Sequence, residues 1–428
     1  MKYKIAFKTL GCRLNQYETE ALASQFHREG YKVVEFNDKA DVYVVNTCTV
    51  TNQSDKKSRK IIQSASTGNN NSVLVVTGCM TNNHESELNN NNQITYLVKN
   101  EHKNSIYSIV NAHFQGEIFS QEVLNQNLFN YQPTEQIFHT RSMIKIQDGC
   151  DNMCSFCIIP MVRGRAVSRP VNDVLENISR NIKKGYKEIT LTGVNISRYM
   201  YGNIDFTELV EKILKLPGDF RVRFSSMEPD GLDDRFIDLF QNPKLCHHLH
   251  LCLQNGSDKV LLRMRRMYTT DSYYELINKI KSKYPDFNFT TDIMVGFPGE
   301  TDEDFNQTCD MVKKIGFSHI HTFKYSVRNN TRAARMADQI SEKVKDERSK
   351  IIRKISDSNK QNYYKSFIGK SQIVIPEKTN KNGFTKGYGE NYIPVKIKSG
   401  SCLTNEYQSV KIIGIDSNER VLLGEICN

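Results

Sequence analysis

Short apolar runs alternate with amphipathic stretches along the first 110 residues. The runs at residues 4–7, 32–36, 41–46 and 73–77 have the length of strands, and residues 15–29 and 54–66 between them have helical spacing. Such alternation implies a parallel sheet joined by right-handed crossovers. Residues 111–138 lose the periodicity and read as a connection. A second alternation starts at Ser142. Strands are expected at 143–146, 188–192, 221–225, 248–253, 289–295 and 319–325, with helices at 171–184, 206–216, 272–284 and 301–315. Six such units form an incomplete, open βα barrel rather than a closed eight-fold one. Residues 331–360 are charged and read as helix. Beyond Gly369, short runs at 371–376, 392–397, 409–416 and 420–425 sit between Gly and Asn turns, which predicts a small antiparallel β-barrel.

At 428 residues the chain exceeds one ordinary core, and the pattern divides it at 1–133, 134–364 and 365–428. No apolar run reaches the roughly 18 residues that span a bilayer, and the first residues lack a signal-peptide pattern. A cytoplasmic protein with no membrane partner is expected. The net charge of +10, from 58 Lys and Arg against 48 Asp and Glu, favours a polyanionic partner. Eleven cysteines, an odd number, do not make a disulfide framework in a reducing compartment.

Three of those cysteines, Cys150, Cys154 and Cys157, stand in "CDNMCSFC". Four clustered thiolates would close a zinc site, but no fourth ligand follows at that spacing. Three thiolates hold three corners of a 4Fe-4S cluster and leave one iron open. Three incidental thiols, or a zinc site completed from elsewhere, are the competing readings. The loop follows the strand at 143–146, at the carboxyl end where βα folds place their chemistry. A second triad is spread over the N-terminal part: Cys12 in "TLGC", Cys48 in "VNTC" and Cys79 in "VTGC". Each ends a predicted strand, so the three thiols can converge at the carboxyl edge of one sheet. Cys246, Cys252, Cys309, Cys402 and Cys427 show no grouping and read as packing residues.

The C-x3-C-x2-C spacing, with Phe156 before its last cysteine, resembles the radical S-adenosylmethionine (SAM) superfamily. Both triads together resemble the methylthiotransferases of that superfamily. The likeness runs through "TLGCRLNQYETE", "NTCTVTNQSD", "GCDNMCSFCIIPMVRGRAVSRP", "LTGVNI", "HLHLCLQNGSDKVLLRMRRMYT" and "TTDIMVGFPGETDEDF". It implies an α/β chain: an open flavodoxin-like parallel sheet, a partial (β/α)6 radical SAM barrel and a C-terminal TRAM barrel that binds RNA. It also implies two 4Fe-4S clusters, on Cys12, Cys48 and Cys79 and on Cys150, Cys154 and Cys157, together with SAM and an external electron donor of flavodoxin or ferredoxin type. Around SAM it points to Thr192, Gly193 and Asn195, to Ser225, Ser226 and Glu228, to Gln254 and Asn255 for the ribose, and to Ile293, Val295 and Phe323 for the adenine. Strand-end polar residues also cap loops, which is the plainer role for the same positions. Arg263, Arg265 and Arg266 are candidates for a carboxylate or phosphate.

The family's known substrates are two modified adenosines of tRNA, isopentenyl- and threonylcarbamoyl-adenosine, and an aspartate of a ribosomal protein. "TLGCRLNQYETE" and "HTFKYSVRNNTRAARM" look most like the threonylcarbamoyl branch, which implies methylthiolation of carbon 2 of that nucleoside at position 37. Asn330 stands where that branch has Gly; Asn tolerates positive φ better than most residues. In the last barrel, Tyr388 and Tyr392 with Lys386, Lys396 and Lys398 form an aromatic and basic set suited to RNA, which residues 348–354 would extend.

Overall fold

The computed structural model describes residues 3–68, 72–117, 124, 127–131, 141–379, 383–398, 404–416 and 418–427. The fold is α/β, with an open parallel sheet first, βα strands next and a closed five-stranded barrel last. Two compact units emerge. One holds Met1–Asn181, Thr192–Val194 and Ser326–Ala334; the other holds Ile182–Leu191, Asn195–Tyr325 and Arg335–Asn428.

In the first unit β1 (Lys4–Thr9), β2 (Lys32–Val34), β3 (Val42–Thr47), β4 (Val73–Gly78) and β5 (Tyr96–Val98) form one parallel sheet in the order β2-β1-β3-β4-β5. That is the flavodoxin-like order. β3 and β4 are buried at every position because both faces of the sheet are covered. On one face Ile5, Phe7, Val44 and Val75 pack with Leu22 and Phe26 of α1 (Arg13–Arg28) and with Ile106 and Ile109. On the other, Tyr43, Val45 and Val76 pack with Ile62 of α2 (Asn52–Gly68) and with Met80 of α3 (Cys79–Asn83). β5 was not expected, since three residues are too short to show a period. The helix α4 (Ile106–Gln115) runs into the stretch read as a connection; most of the rest of that stretch lies outside the described residues. β6 (Ser142–Lys145) leads to the cysteine loop and α5 (Ile159–Arg163).

The segment Ser326–Ala334 belongs to this unit for visible reasons. Asn52 donates its N–H to Ser326 Oγ (3.1 Å), Arg328 pairs with Asp55 (2.5 Å), and Ala333 donates its N–H to Ser155 O (2.8 Å). Asn330 has φ +69, so it supplies the left-handed turn expected of it. The helix expected from residue 331 instead starts at Glu342, where Ser341 caps α6 (Glu342–Lys365) through the Val344 N–H.

In the second unit, residues 188–191 of β7 (Glu188–Thr192) pair in parallel with β8 (Arg221–Phe224). β9 (His248–Leu251), β10 (Asn288–Val295) and β11 (His319–Lys324) form a further parallel run. The small barrel consists of β12 (Ser371–Thr379), β13 (Phe384–Tyr388), β14 (Pro394–Lys398), β15 (Gln408–Asp416) and β16 (Val421–Ile426), closed in the order β12-β13-β14-β16-β15. β13 was not expected, and β14 runs parallel to β16, so the barrel is not wholly antiparallel. Closure leaves no open sheet edge. The barrel is fastened to the βα strands by buried charge. Glu188 pairs with Arg221 (2.8 Å) and Arg223 (3.2 Å). Arg221 also donates to Ile373 O (3.2 Å) and Tyr388 O (2.9 Å). Removing one member of a buried ion set strands its partners. Glu188→Ala is therefore expected to cost about 3–5 kcal/mol in chemical unfolding.

Candidate functional site

Cys12 follows β1 and caps α1, Cys48 follows β3, and Cys79 follows β4 as the first residue of α3. β1, β3 and β4 are consecutive in the sheet, so their carboxyl ends deliver the three thiols to one edge. A Cβ at Gly11, where φ is +100, would fall 2.9 Å from Cys48 Cβ and 3.1 Å from both Cys48 Sγ and Asn15 Nδ2. Glycine leaves a recess there that any side chain would fill. Cys48 and Cys79 are buried, whereas Cys12 reaches solvent. Burial pushes the Cys48 thiol up to about 11.

The second triad lies on the loop between Gln147–Asp148 and α5. Cys150 donates its N–H to Gly164 O and Cys157 donates its own to Cys154 O, each at 3.1 Å. The N–H groups of Asn152 and Ile159 lie 3.4 Å from the sulfurs of Cys150 and Cys157. At Gly149, with φ +66, a Cβ would fall 1.9 Å from Arg165 O, so the loop folds back only over a glycine. Gln147, missed in the sequence, ties this region together. Its Nε2 donates to Asp148 O (2.9 Å) and Gly149 O (2.7 Å), and its Oε1 accepts the Val194 N–H (2.9 Å). That last bond holds the turn carrying Thr192 and Gly193. The Thr192 hydroxyl is buried and has no hydrogen-bond partner. Phe156 is half-buried.

The two triads touch through their flanks: Cys79 packs with Ile158 and Val162 of the second loop and its helix. Beneath them lies a buried ion set. Glu18 meets Lys103 (2.5 Å), Lys145 (3.0 Å) and Arg163 (3.2 Å), and Asp148 meets Lys145 (2.6 Å) and Arg163 (3.0 Å). Burial opposes ionisation of Glu18, but Arg163, Lys103 and Lys145 outweigh it and hold the carboxyl well below its usual range. A single zinc ion, with Zn–S bonds of about 2.3 Å, would draw its thiolates to within about 4 Å of one another. Neither triad is that tight. Among the described residues, the three potential ligands gathered within 4.8 Å are His250, Cys252 and Asp292. The wider triads fit a larger group with several metal corners, such as a cluster.

The other expected contacts lie in the second unit. Ser225 is buried and its hydroxyl has no hydrogen-bond partner, while Ser226 is exposed. Gln254 sits at φ 64, a costly conformation for a non-glycine residue and one that clusters at functional sites. Phe323 is 42% exposed and pairs in register with Met294, on the same face as Asp292 and His321. Asn195 is buried and accepts from the Ser197 hydroxyl (2.9 Å). Asp292 accepts from His250 (3.2 Å) and the Cys252 thiol (3.7 Å). Burial raises its pKa, but His250 and then His321 outweigh that and hold the carboxyl below its usual range. Sequence reading missed this set because Asp292 comes from the strand next to the one that carries His250 and ends before Cys252.

A model described as uncharacterized protein family UPF0004 matches residues 4–99, and the radical SAM superfamily model matches residues 144–312. A Thermotoga maritima protein named threonylcarbamoyladenosine tRNA methylthiotransferase MtaB is 36% identical over 95% of this chain and 94% of its own. A Thermodesulfovibrio yellowstonii protein named tRNA-2-methylthio-N(6)-dimethylallyladenosine synthase is 34% identical over 95% of each chain. Among solved structures, the radical SAM methyltransferase TsrM from Kitasatospora setae superposes with a TM-score of 0.57 at 14% identity, over 78% of this chain and 77% of that one. The chain belongs to the radical SAM methylthiotransferase family. Membership implies a 4Fe-4S cluster and SAM.

For a radical SAM methylthiotransferase, the surroundings of several expected SAM contacts are already filled by the protein. Ile293 and Val295 are fully buried and face away from Asp292 and Met294, so they offer no surface to an adenine. Asn255 is also fully buried. Its amide donates to Glu300 (2.8 Å), and its oxygen accepts from Ser257 N–H (3.0 Å) and Thr308 (3.1 Å). Glu228 is ion-paired with Arg266, and Arg263 packs against Gly299. Arg265 caps a helix and is exposed. Cys427 is exposed rather than packed, and Cys402 lies outside the described residues. Gly11→Ala is expected to lose about 1–3 kcal/mol to its positive φ alone and to displace the Cys48 thiol. Urea unfolding and iron content per chain check the two effects.

Proposed function

We propose that this methylthiotransferase adds a methylthio group to carbon 2 of N6-threonylcarbamoyladenosine at position 37 of tRNA. It would use two 4Fe-4S clusters, one on Cys12, Cys48 and Cys79 and one on Cys150, Cys154 and Cys157, with SAM and an external donor of flavodoxin or ferredoxin type. The observation that carries this is the meeting of two three-thiol sets in one compact unit, with Cys79 packed on the residues that follow Cys157. When bound, such clusters and SAM supply a carbon radical and a sulfur, which an unpolarised C–H bond requires and acid–base groups cannot provide.

The chain's own residues hold and aim. Gly149 and Gln147 shape the second loop, and the unpartnered Thr192 hydroxyl with Gly193, together with Ser225, Ser226, Gln254 and Phe323, are retained as candidate contacts to SAM. The name borne by the T. maritima relative, and the left-handed Asn330 in "SVRNNTRAA", support the threonylcarbamoyl branch. The divisions 1–133, 134–364 and 365–428 stand as the proposed domains, the last a TRAM barrel. RNA contact is assigned to only part of the set expected from the sequence. Tyr392 stacks on Tyr388 (4.6 Å) and lies under Arg223 (3.8 Å), Lys386 pairs with Glu419, and Lys396 pairs with Asp416 (2.8 Å). Arg348 is buried on Glu300 (2.6 Å). Lys350, Arg353, Lys354 and Lys398 remain exposed and are proposed to meet phosphate. No helix among the described residues is long and apolar enough to cross a membrane.

Anaerobic turnover with SAM, a reductant and tRNA bearing threonylcarbamoyladenosine, read by nucleoside mass spectrometry, should show the gain of a methylthio group. Gain only on isopentenyladenosine, or only on the ribosomal protein, moves the substrate to that branch. Cys150→Ala should abolish 5′-deoxyadenosine formation. Cys12→Ala should keep that product and lose methylthio transfer; transfer at the normal rate would end the proposed division of labour. Affinity for tRNA should fall steeply with salt, and a flat salt profile would remove the phosphate contacts.

A further inference from the structure

The ion set around Glu18 does not balance within itself. Lys103, Lys145 and Arg163 bring three positive charges, and Glu18 and Asp148 bring two negative ones. All five side chains are almost wholly buried. A surplus positive charge inside a protein is costly unless an anion lies close by.

Arg163 reaches the first triad through Asn15 and Val162. One terminal nitrogen donates to Asp148 (3.0 Å) and Glu18 (3.2 Å), and the other to Asn15 Oδ1 (2.6 Å) and Glu18 (3.2 Å). Its Nε is buried without a hydrogen-bond partner. The Asn15 amide donates onward to Leu10 O (2.8 Å) and Thr47 O (3.0 Å). Thr47 precedes Cys48 directly, and Leu10 and Gly11 precede Cys12. On the other side Val162, next to Arg163, packs on Cys79. One guanidinium is thus linked to Cys79 through Val162, and to Cys48 and Cys12 through Asn15 and the backbone before each thiol.

We propose that Arg163, with this surplus charge, is a positioning residue that balances an anionic group on Cys12, Cys48 and Cys79 and sets its reduction potential. The proposal rests on the two-cluster reading above. Three thiolates on a doubly positive iron–sulfur core leave one net negative charge, which matches the buried surplus. Hydrogen bonds and nearby charge are among the factors that set cluster potentials. Removing positive charge disfavours the added electron and lowers the potential; removing negative charge raises it.

The test is an EPR-monitored redox titration of the anaerobically reconstituted full chain. A Cys150→Ala, Cys154→Ala, Cys157→Ala background isolates the signal of the first triad. Arg163→Met should shift the reduction equilibrium at least tenfold against the electron, which is about 59 mV downward for a one-electron couple. Glu18→Gln should shift it upward. Arg163→Met with Glu18→Gln restores the surplus and should return the potential toward that of the unsubstituted chain. An unchanged potential in Arg163→Met with iron retained overturns the proposal. So does a double variant that follows Arg163→Met. If Arg163→Met loses its iron, Glu18→Gln decides, and no rise there overturns the proposal. Iron for only one cluster in the unsubstituted chain overturns the two-cluster reading as well, and the iron count tells the two failures apart.

Discussion

A carboxylate shut away from water stays ionised only where cations surround it, and Glu18 draws its three from distant stretches of chain. Lys103 comes from the turn before α4, Lys145 from the end of β6 and Arg163 from the end of α5. The set joins α1, which begins at Cys12, to the loop that carries Cys150, Cys154 and Cys157. Glu18 removed would leave its three cations buried against Asp148 alone, at about 3–5 kcal/mol. Two thiol sets that are far apart in sequence become parts of one body for this reason. The packing of Cys79 on Ile158 and Val162 follows from the same contact.

The second unit uses the same device. Glu188 binds Arg221 and Arg223, and those arginines hold the small barrel through Ile373 O, Tyr388 O and the ring of Tyr392. Aromatic residues that could have stacked on bases are committed to this joint. Lys386 and Lys396 of the barrel are neutralised by Asp416 and Glu419. A basic composition therefore does not mean that every basic residue is available; exposure and pairing decide which ones are.

Much of the fold was legible because it repeats simple periods. The N-terminal alternation led to a parallel sheet, and the structure adds only β5, three residues long. The barrel was read with four strands and has five, because Phe384–Tyr388 is interrupted by a glycine and sits between turns. Both cysteine sets were legible from spacing and from their place at strand ends. The contacts around SAM were less so. Ile293 and Val295 alternate with Asp292 and Met294 on one strand, and nothing in the run says which face is covered by helices. Asn255 follows a strand as a ligand residue would, yet Glu300, Ser257 and Thr308 claim it.

By itself the sequence determined the element types, the strand-end positions of six thiols, the glycines beside them and the family to which the chain belongs. These are local properties, written in period, spacing and residue type. Tertiary structure decided which polar groups are already paired, which strand faces are open, and that Glu18, Asp148, Lys103, Lys145 and Arg163 share one dry site. Those outcomes depend on side chains up to about 150 residues apart meeting where water is excluded, and the local pattern carries no trace of a meeting at that separation.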